Sequence, residues 1–175
     1  FVSTGRDRAA KLIDANSGAF LENLNLLRGE LSAVARHPKQ DLVVIGGEER
    51  YPYIYLMDRP RNMKIADDTT LVRKLERQDG AITALDWSPD GSRIAVAGAS
   101  PNVNLYDATT GERTVTCQGH AAGIYTLSFS PDGAQLATAG FDGKVRIYST
   151  SDCKLARSFI PVPLSAGAAQ TGGLQ

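Results

Sequence analysis

Residue types that build catalytic and cofactor sites are scarce in this chain of 175 residues. It holds two histidines, His37 and His120, so a His-rich metal site cannot be assembled from the chain alone. No CxxCH sequence occurs, which excludes covalent attachment of a c-type haem, and no GKS or GxGxxG sequence would form a phosphate-binding loop. We therefore predict that the chain is not an enzyme and has no catalytic, cofactor-binding or metal-binding residues.

An excess of charge and a long apolar run are also absent. The chain carries 19 basic and 19 acidic residues, so no general electrostatic attraction to nucleic acid or to an anionic membrane is implied. No apolar run approaches the roughly 18–20 residues that span a bilayer. We expect neither a nucleic-acid partner nor a membrane partner.

Short strands joined by tight turns are what the sequence does contain, as its 17 glycines and eight prolines suggest. The segment 119–149 shows the pattern most clearly. Ser130-Pro131-Asp132-Gly133 has the residue order of a type I turn, and Asp142-Gly143 supplies the positive φ angles of a tight hairpin. With apolar residues between these turns, the segment and its continuation predict four strands, near 124–129, 135–140, 145–148 and 155–160.

The same marks recur one period earlier in the chain. Ser88-Pro89-Asp90-Gly91, Gly98 and Tyr106-Asp107 each stand 42 positions before their counterparts. A period of roughly 40–45 residues with four strands is typical of a propeller blade. The chain resembles the WD-repeat β-propeller family, whose unit is a Gly-His step, a strand, an SPDG-like turn, a small-residue strand, an Asp turn and a strand that ends in Trp-Asp.

The resemblance implies an all-β fold: an incomplete ring of four-stranded antiparallel blades, about 3.75 in number. We expect fifteen strands in a propeller segment over residues 1–160, followed by a Pro-, Gly- and Ala-rich tail or linker over 161–175. Because the first copy begins within a unit, we expect a fragment of a longer protein, with an identical chain packed face to face as the alternative. The predicted blades are 1–28 (partial), 29–79, 80–118 and 119–160.

In the family, a His, a Ser or Thr, an Asp and a Trp form a hydrogen-bonded set within a blade. The resemblance carries this set over to His120, Thr138 and Asp142, with Tyr148 in place of Trp. Tyrosine cannot copy an indole N–H at the same distance. An Asp, a His and a hydroxyl also resemble a hydrolytic triad, but we favour the structural interpretation. The first copy keeps two members of the set, Ser3 and Asp7.

The family's face with the Gly-His and Asp-turn loops is a common partner site. Here two stretches enlarge the second copy, at 48–53 and 59–70, and such additions on a rigid scaffold often bind partners. Arg59, Arg61 and Lys64, followed by Asp67-Asp68, form either a contact for an acidic partner or, as we favour, a solvated loop. The candidate partner-binding residues are Arg6, Glu48, Arg50, Tyr51, Tyr53 and Phe141.

The two cysteines, Cys117 and Cys153, fall in predicted fourth strands of different copies, and we expect packed thiols rather than a disulfide. The function predicted is a non-catalytic scaffold for protein–protein interaction, whose partners include the remaining blades of the ring, from the same protein or a second copy. The alternative is the propeller portion of a larger bacterial protein whose redox (c-type cytochrome) or enzymatic domain lies outside this chain.

Overall fold

The backbone is built from β-strands. The computed structural model describes residues 1–26, 28–58 and 68–161. No helix that could span a bilayer occurs within these ranges. The described residues form fifteen strands: β1 (Val2–Thr4), β2 (Ala10–Ile13), β3 (Phe20–Asn23), β4 (Leu31–Arg36), β5 (Leu42–Gly47), β6 (Tyr53–Leu56), β7 (Leu71–Lys74), β8 (Ile82–Trp87), β9 (Arg93–Gly98), β10 (Val103–Asp107), β11 (Arg113–Cys117), β12 (Ile124–Phe129), β13 (Gln135–Gly140), β14 (Val145–Ser149) and β15 (Leu155–Phe159).

The strands form four antiparallel sheets in which chain neighbours are hydrogen-bonded neighbours. Blade 1 is β1-β2-β3, blade 2 is β4-β5-β6-β7, blade 3 is β8-β9-β10-β11 and blade 4 is β12-β13-β14-β15. The first strands of the complete blades pack on one another, β4 on β8 and β8 on β12. This architecture confirms the predicted fold class, an open propeller segment made of antiparallel blades.

The repeat is regular at the level of single residues. All four strands of blade 4 begin 42 positions after those of blade 3, as for Ile82 and Ile124. The pairing of first and second strands is also irregular at the same place, between Ile82 and Ala84 in blade 3 and between Ile124 and Thr126 in blade 4. Equivalent residues can therefore be compared from blade to blade.

The hydrophobic core lies between neighbouring blades. Leu105 and Val103 of blade 3 belong to the same buried cluster as Ile124 and Leu136 of blade 4, and all four are 0% exposed. Small residues such as Ala95 keep the central strands thin enough for adjacent sheets to pack closely. Each blade thus depends on the next one for burial of its apolar face.

The tight turns adopt the conformation that their residues predict. Gly91 and Gly133 have positive φ angles of 80° and 71°. In each turn the glycine N–H donates to the carbonyl of the serine that opens it, Ser88 or Ser130, at 2.8 Å. These turns end the first strand and direct the second one back along it.

The cysteines are bonded to each other, so the expectation of packed thiols is wrong. The disulfide joins Cys117, at the end of β11 in blade 3, to Cys153, in the turn between β14 and β15 of blade 4, with a Cα–Cα distance of 4.7 Å. Cys153 precedes the fourth strand of its blade instead of lying in it. The turn of one blade lies over the outer strand of the blade before it, which brings the two sulfurs together.

Two sequence predictions concern parts of the chain outside the described residues. The basic cluster Arg59, Arg61 and Lys64 lies in the range 59–67, and all but the first residue of the tail lies in 162–175. Asp68, at the end of the same insertion, is described and contributes to a polar network of blade 2.

Candidate partner-binding face and the polar networks beneath it

One end of the blades carries the loops that precede the first strand and follow the second strand of each complete blade. The loop after β1 lies at the same end, because β1 is equivalent to the second strand of a complete blade. We call this end the loop face; its described segments are 5–9, 28–30, 48–52, 78–81, 99–102, 118–123 and 141–144. Within a complete blade the two loops are joined by one recurring bond. The N–H groups that donate are those of Glu48, Ala99 and Phe141, to the carbonyls of Glu30, Ala81 and Gly123 at 2.9, 2.8 and 2.9 Å.

Beneath the loop face of blade 4, four buried side chains form a polar network. His120 precedes β12, Thr138 lies in β13, Asp142 lies in the turn after it and Arg146 lies in β14. His120 Nε2 is 2.8 Å from Thr138 Oγ1, and His120 Nδ1 is 3.2 Å from Asp142 Oδ1. The structure therefore brings together three of the residues that the sequence singled out. Arg146, which sequence reasoning missed, is the fourth member.

Arg146 determines which nitrogen of His120 carries the proton. Its Nη1 is 2.8 Å from His120 Nδ1 and, since a guanidinium can only donate, Nδ1 must accept. Nε2–H then donates to Thr138 Oγ1, whose own hydrogen is directed to the carbonyl of Arg146 at 3.4 Å. Burial lowers the pKa of His120; the contact with Asp142 opposes this shift, and the nearby charge of Arg146 adds to it.

Asp142 is the centre of charge in this network. Its carboxylate accepts from Arg146 Nη1 at 2.6 Å, from the N–H of Ala121 at 3.1 Å and from the N–H of Lys144 at 3.1 Å. Burial alone would raise the pKa of Asp142, but the donors outweigh it and hold that pKa well below its usual range. The carboxylate thus orients His120 through Arg146 and ties both loops of the blade to β14.

Tyr148 lies apart from this network, although the sequence placed it in the same set. Its hydroxyl donates to the carbonyl of Gln118 at 3.0 Å, and the ring is 1% exposed. Tyrosine stands at the same place in each complete blade, as Tyr55 and Tyr106, and each hydroxyl finds a different partner. In all three complete blades a tyrosine therefore stands at the family's Trp position, and its hydroxyl bonds to a loop of the same blade.

Blade 3 carries a second network that sequence reasoning missed. Gln78 Nε2 donates to Tyr106, Asn104 Nδ2 donates to Gln78 Oε1 at 2.7 Å, and Thr116 Oγ1 donates to Asn104 Oδ1 at 2.7 Å. Gln78 and Asn104 stand 42 positions before His120 and Arg146 of blade 4. A comparison of the copies by position, and not by residue type, could have found Gln78 and Asn104.

The first blade keeps only separate parts of the set. Ser3 lies in β1, opposite Lys11 of β2. Asp7 lies in the following turn, where it accepts from the N–H of Ala9 at 3.4 Å and pairs with the ammonium group of Lys11. Asp7 thus fastens its own turn to β2.

Three of the six predicted partner-binding residues, Arg6, Glu48 and Phe141, occupy one recurring position. Arg6, Glu48, Ala99 and Phe141 are equivalent in the four blades, and all are exposed. The Arg6 side chain is 93% exposed and lies 4.0 Å from the carboxylate of Glu30. A partner could therefore reach this position on every blade that is described.

The insertion of blade 2 gives a mixed result. Arg50 Nη1 lies 3.5 Å from the carbonyl of Asp79, and Tyr51 is half-buried with Lys74 Nζ 3.5 Å from its ring centre. Tyr53 is only 6% exposed and belongs to the core, so its ring is not available on the loop face. The sequence misplaced it because β6 is covered on both sides.

An aromatic pair on blade 4 was only half predicted. Phe141 is 62% exposed and stacks on Tyr125, which is 55% exposed, with ring centroids 3.8 Å apart. Tyr125 is equivalent to Thr83 of blade 3 and Ser32 of blade 2. Those two hydroxyls donate to carbonyls of the next blade, those of Ile124 and Ile82. On blade 4 the same position offers a large ring to solvent.

The chemistry available to the blade 4 network is limited by burial. Thr138 is 2% exposed and His120 is 6% exposed, so the hydroxyl that a hydrolytic triad would use as its nucleophile is closed off. Among the described residues, no group of three or more His, Cys, Asp and Glu side chains could hold a metal ion. The network is suited to fixing the loops above it.

The chain is built from repeated four-stranded blades that pack side by side, with buried polar networks beneath the loop face. This arrangement defines a propeller-forming repeat protein. The chain belongs to the WD-repeat family: the model of the WD40 domain of anaphase-promoting complex subunit 4 matches residues 34–129, and that of the WD domain, G-beta repeat, matches 111–149. This result confirms the family predicted from the motifs.

Two curated relatives match parts of the chain. An uncharacterized WD repeat-containing protein of Schizosaccharomyces pombe is 35% identical over 81 residues, which cover 46% of this chain and 12% of that protein. WD repeat-containing protein 1-B of Xenopus laevis is 45% identical over 47 residues, which cover 25% of this chain and 8% of that protein. The chain thus matches only a small part of the length of these relatives.

Proposed function

We propose that this chain is a segment of a non-catalytic scaffold that binds protein partners through its loop face. WD repeats generally mediate protein–protein interactions, and members of the family are generally not catalytic. The observation that carries the proposal is the exposed stack of Tyr125 on Phe141. Two large rings held together in solvent offer a rigid apolar surface at low entropic cost, which is the character of an interface hot spot.

The polar network supports this proposal by fixing the loop on which Phe141 lies. Asp142, the next residue, is bound by Ala121, Lys144 and Arg146. A loop anchored in this way loses little conformational freedom when a partner binds. A partner would therefore meet a preformed surface.

The remaining blades of a ring are the second kind of partner that we propose, from the same protein or from a second copy. Phe159, in the outer strand of blade 4, is 39% exposed. Its equivalents Leu24, Leu75 and Cys117 are 0%, 2% and 1% exposed, beneath the blade that follows each of them. An additional blade packed on blade 4 would cover Phe159 in the same manner.

The opposite end of the segment also offers a place for a strand. Within the described residues β1 pairs only with β2, and a cleft of about 670 Å³ opens beside it between blades 1 and 2. Val2 and Leu12 of blade 1 and Val34 and Val43 of blade 2 line this cleft. A strand added along β1 would use the free backbone groups of that edge.

Site-specific photo-crosslinking tests the loop face as a binding surface. A photoreactive phenylalanine analogue at position 141 should give a discrete crosslinked partner, which Phe141→Ala and Tyr125→Ala variants should recover less well in affinity capture. The matched control is the same analogue at Pro131, in an exposed turn at the other end of blade 4. Equal crosslinking from both positions, or unchanged recovery with the alanine variants, would argue against this face.

The mass of the native particle tests the ring. A longer protein or a dimer of this chain should show a native mass well above the 18.7 kDa of the single chain. A particle of that single mass, with Phe159 fully reactive to hydroxyl-radical footprinting, would count against packing on blade 4.

The cytochrome alternative gains no support from the comparisons. The two relatives come from a yeast and a frog, and their names refer to WD repeats alone. We therefore retain the scaffold as the proposed function.

A further inference from the structure

Apart from the backbone itself, the disulfide is the only covalent link between blades in the described part of the chain. It joins Cys117, the last residue of β11, to Cys153, in the turn that precedes β15. The two residues are 36 positions apart and belong to neighbouring blades. The bond therefore acts across the interface between blades 3 and 4, not within either sheet.

The interface between blades 2 and 3 shows which residues stand at these positions where no disulfide forms. Leu75 is equivalent to Cys117, and Gly111 is equivalent to Cys153. A Cβ built on Gly111 would lie 2.6 Å from Arg73 Cδ and 3.2 Å from Leu75 Cδ2, so positions 75 and 111 face each other across that interface. Cysteines occupy both positions of the equivalent pair one interface later.

The conformation of Cys153 gives a second, independent observation. Its φ angle is 55°, in the left-handed region that favours glycine. The equivalent positions in blades 1 and 3 are Gly18 and Gly111, with φ angles of 69° and 79°. A cysteine at this turn position is conformationally unfavourable unless its sulfur forms a stabilising contact, and the bond to Cys117 is that contact.

Access to the two sulfurs is unequal. Cys117 is 1% exposed, whereas Cys153 is half-buried in a surface turn. A thiolate of a small dithiol attacks Cys153 Sγ, the Sγ–Sγ bond breaks, and Cys117 leaves as a thiolate that takes up a proton. The second thiol of the reagent then attacks the mixed disulfide, which releases the Cys153 thiol and leaves the reagent as a cyclic disulfide.

We infer that the Cys117–Cys153 bond is a thiol-sensitive lock that holds blade 4 against blade 3. Reduction removes the covalent tie and leaves Cys153 in an unfavourable turn, so the turn at 149–154 opens more often. The remaining contacts between the blades persist, including the bond from Arg93 Nη1 to the carbonyl of Thr150 at 2.8 Å. The chain stays folded while the docking of its last blade becomes weaker.

Hydrogen exchange of the full chain, with and without a dithiol reductant, tests the lock. The amides of Ser149 and Cys153, which donate to Lys154 O at 2.9 Å and Ser149 O at 3.0 Å, report opening of the turn. Their exchange should be faster after reduction by a factor of roughly 30–1,000, the effect of losing a cross-link that closes a loop of this length. Amides of β5, in blade 2, should change much less.

The matched control is the double variant Cys117→Leu/Cys153→Gly, which places the residue types of Leu75 and Gly111 at the equivalent positions one interface later. We expect this variant to fold and its exchange to be indifferent to reductant. Alkylation followed by mass spectrometry gives the redox state directly: the untreated wild type should take up no label and the reduced protein two. Labelling of both cysteines without reductant, equal exchange in the two states, or a reductant effect in the double variant would each overturn the inference.

Discussion

Replacement of Asp142 by alanine tests whether the buried network holds the loop face of blade 4. The substitution removes one carboxylate and leaves three donors, from Ala121, Lys144 and Arg146, without their acceptor. Two of these are backbone N–H groups that water can reach from the loop. The guanidinium of Arg146 is different because its side chain is only 7% exposed.

The magnitude follows from that buried cation. Removal of one partner from a buried ion pair costs about 3–5 kcal/mol, since the remaining charge stays out of water. For a chain of this size the same loss lowers the melting temperature by roughly 6–20 °C. The pKa of Asp142 lies well below its usual range in the folded state, so its contribution is present above about pH 4 and declines as the pH falls from there towards the folded-state pKa, because the unfolded state takes up the proton first.

Urea unfolding followed by circular dichroism measures the effect, and hydrogen exchange at Ala121 and Lys144 localises it. The matched control is Asp132→Ala, which alters an exposed aspartate of the preceding turn that accepts from Ser130 Oγ at 2.5 Å and the N–H of Ala134 at 3.0 Å. Water replaces those contacts, so the control should lose much less stability. Equal losses of unfolding free energy in the two variants would mean that the buried network contributes no more to stability than the contacts of an exposed turn.

Three further outcomes are expected. Burial lowers the pKa of His120, so below about pH 6.5 the unfolded state binds more protons than the folded state. The free energy of unfolding should therefore fall there, by up to about 1.4 kcal/mol per pH unit. His120→Gln should flatten that slope in urea titrations at several pH values. Tyr148→Phe removes the bond to the carbonyl of Gln118 and should cost about 1 kcal/mol in the same assay, whereas no loss would indicate that water already satisfies that carbonyl. Leu75→Cys/Gly111→Cys should form a second disulfide between blades on oxidation, because a Cβ at residue 111 would lie 3.2 Å from Leu75 Cδ2 once the Arg73 side chain, with Cδ 2.6 Å from that Cβ, moves aside; intact mass under non-reducing conditions detects the bond, and a mass with both thiols free would contradict the prediction.

The blades could be predicted because their turns are encoded locally. An SPDG turn and an Asp-Gly turn each specify a chain reversal within four residues, and the repetition of the SPDG turn at a spacing of 42 indicates the register of blades 3 and 4. Blade 2 lacks both turns, and there the sequence placed Tyr53 in the insertion 48–53, whereas in the structure it is the first residue of β6. Its position in that strand carries Tyr53 from a predicted contact surface into the core.

The polar networks were predictable only where residue types repeat the family's pattern. His120, Thr138 and Asp142 fit that pattern, and His120 lies 2.8 Å from Thr138 Oγ1 and 3.2 Å from Asp142 Oδ1. Gln78 and Asn104 fill equivalent positions with different chemistry, so a search by residue type passes over them. What the repeat preserves is a buried polar position that must be satisfied, and an amide meets that need as well as an imidazole does.

The disulfide shows why contacts between blades are harder to infer than contacts within them. Strand pairing follows chain order, so the partners of β14 could be read from their neighbours in sequence. The contact of Cys117 with Cys153 depends on the tilt of one sheet across the next, which no local pattern encodes. Leu75 and Gly111 hold the equivalent positions one interface earlier, where a Cβ at residue 111 would lie 3.2 Å from Leu75 Cδ2, so the facing of these positions comes with the repeat and only the bond is new. A bond placed there changes how firmly two blades dock without altering the register of either sheet.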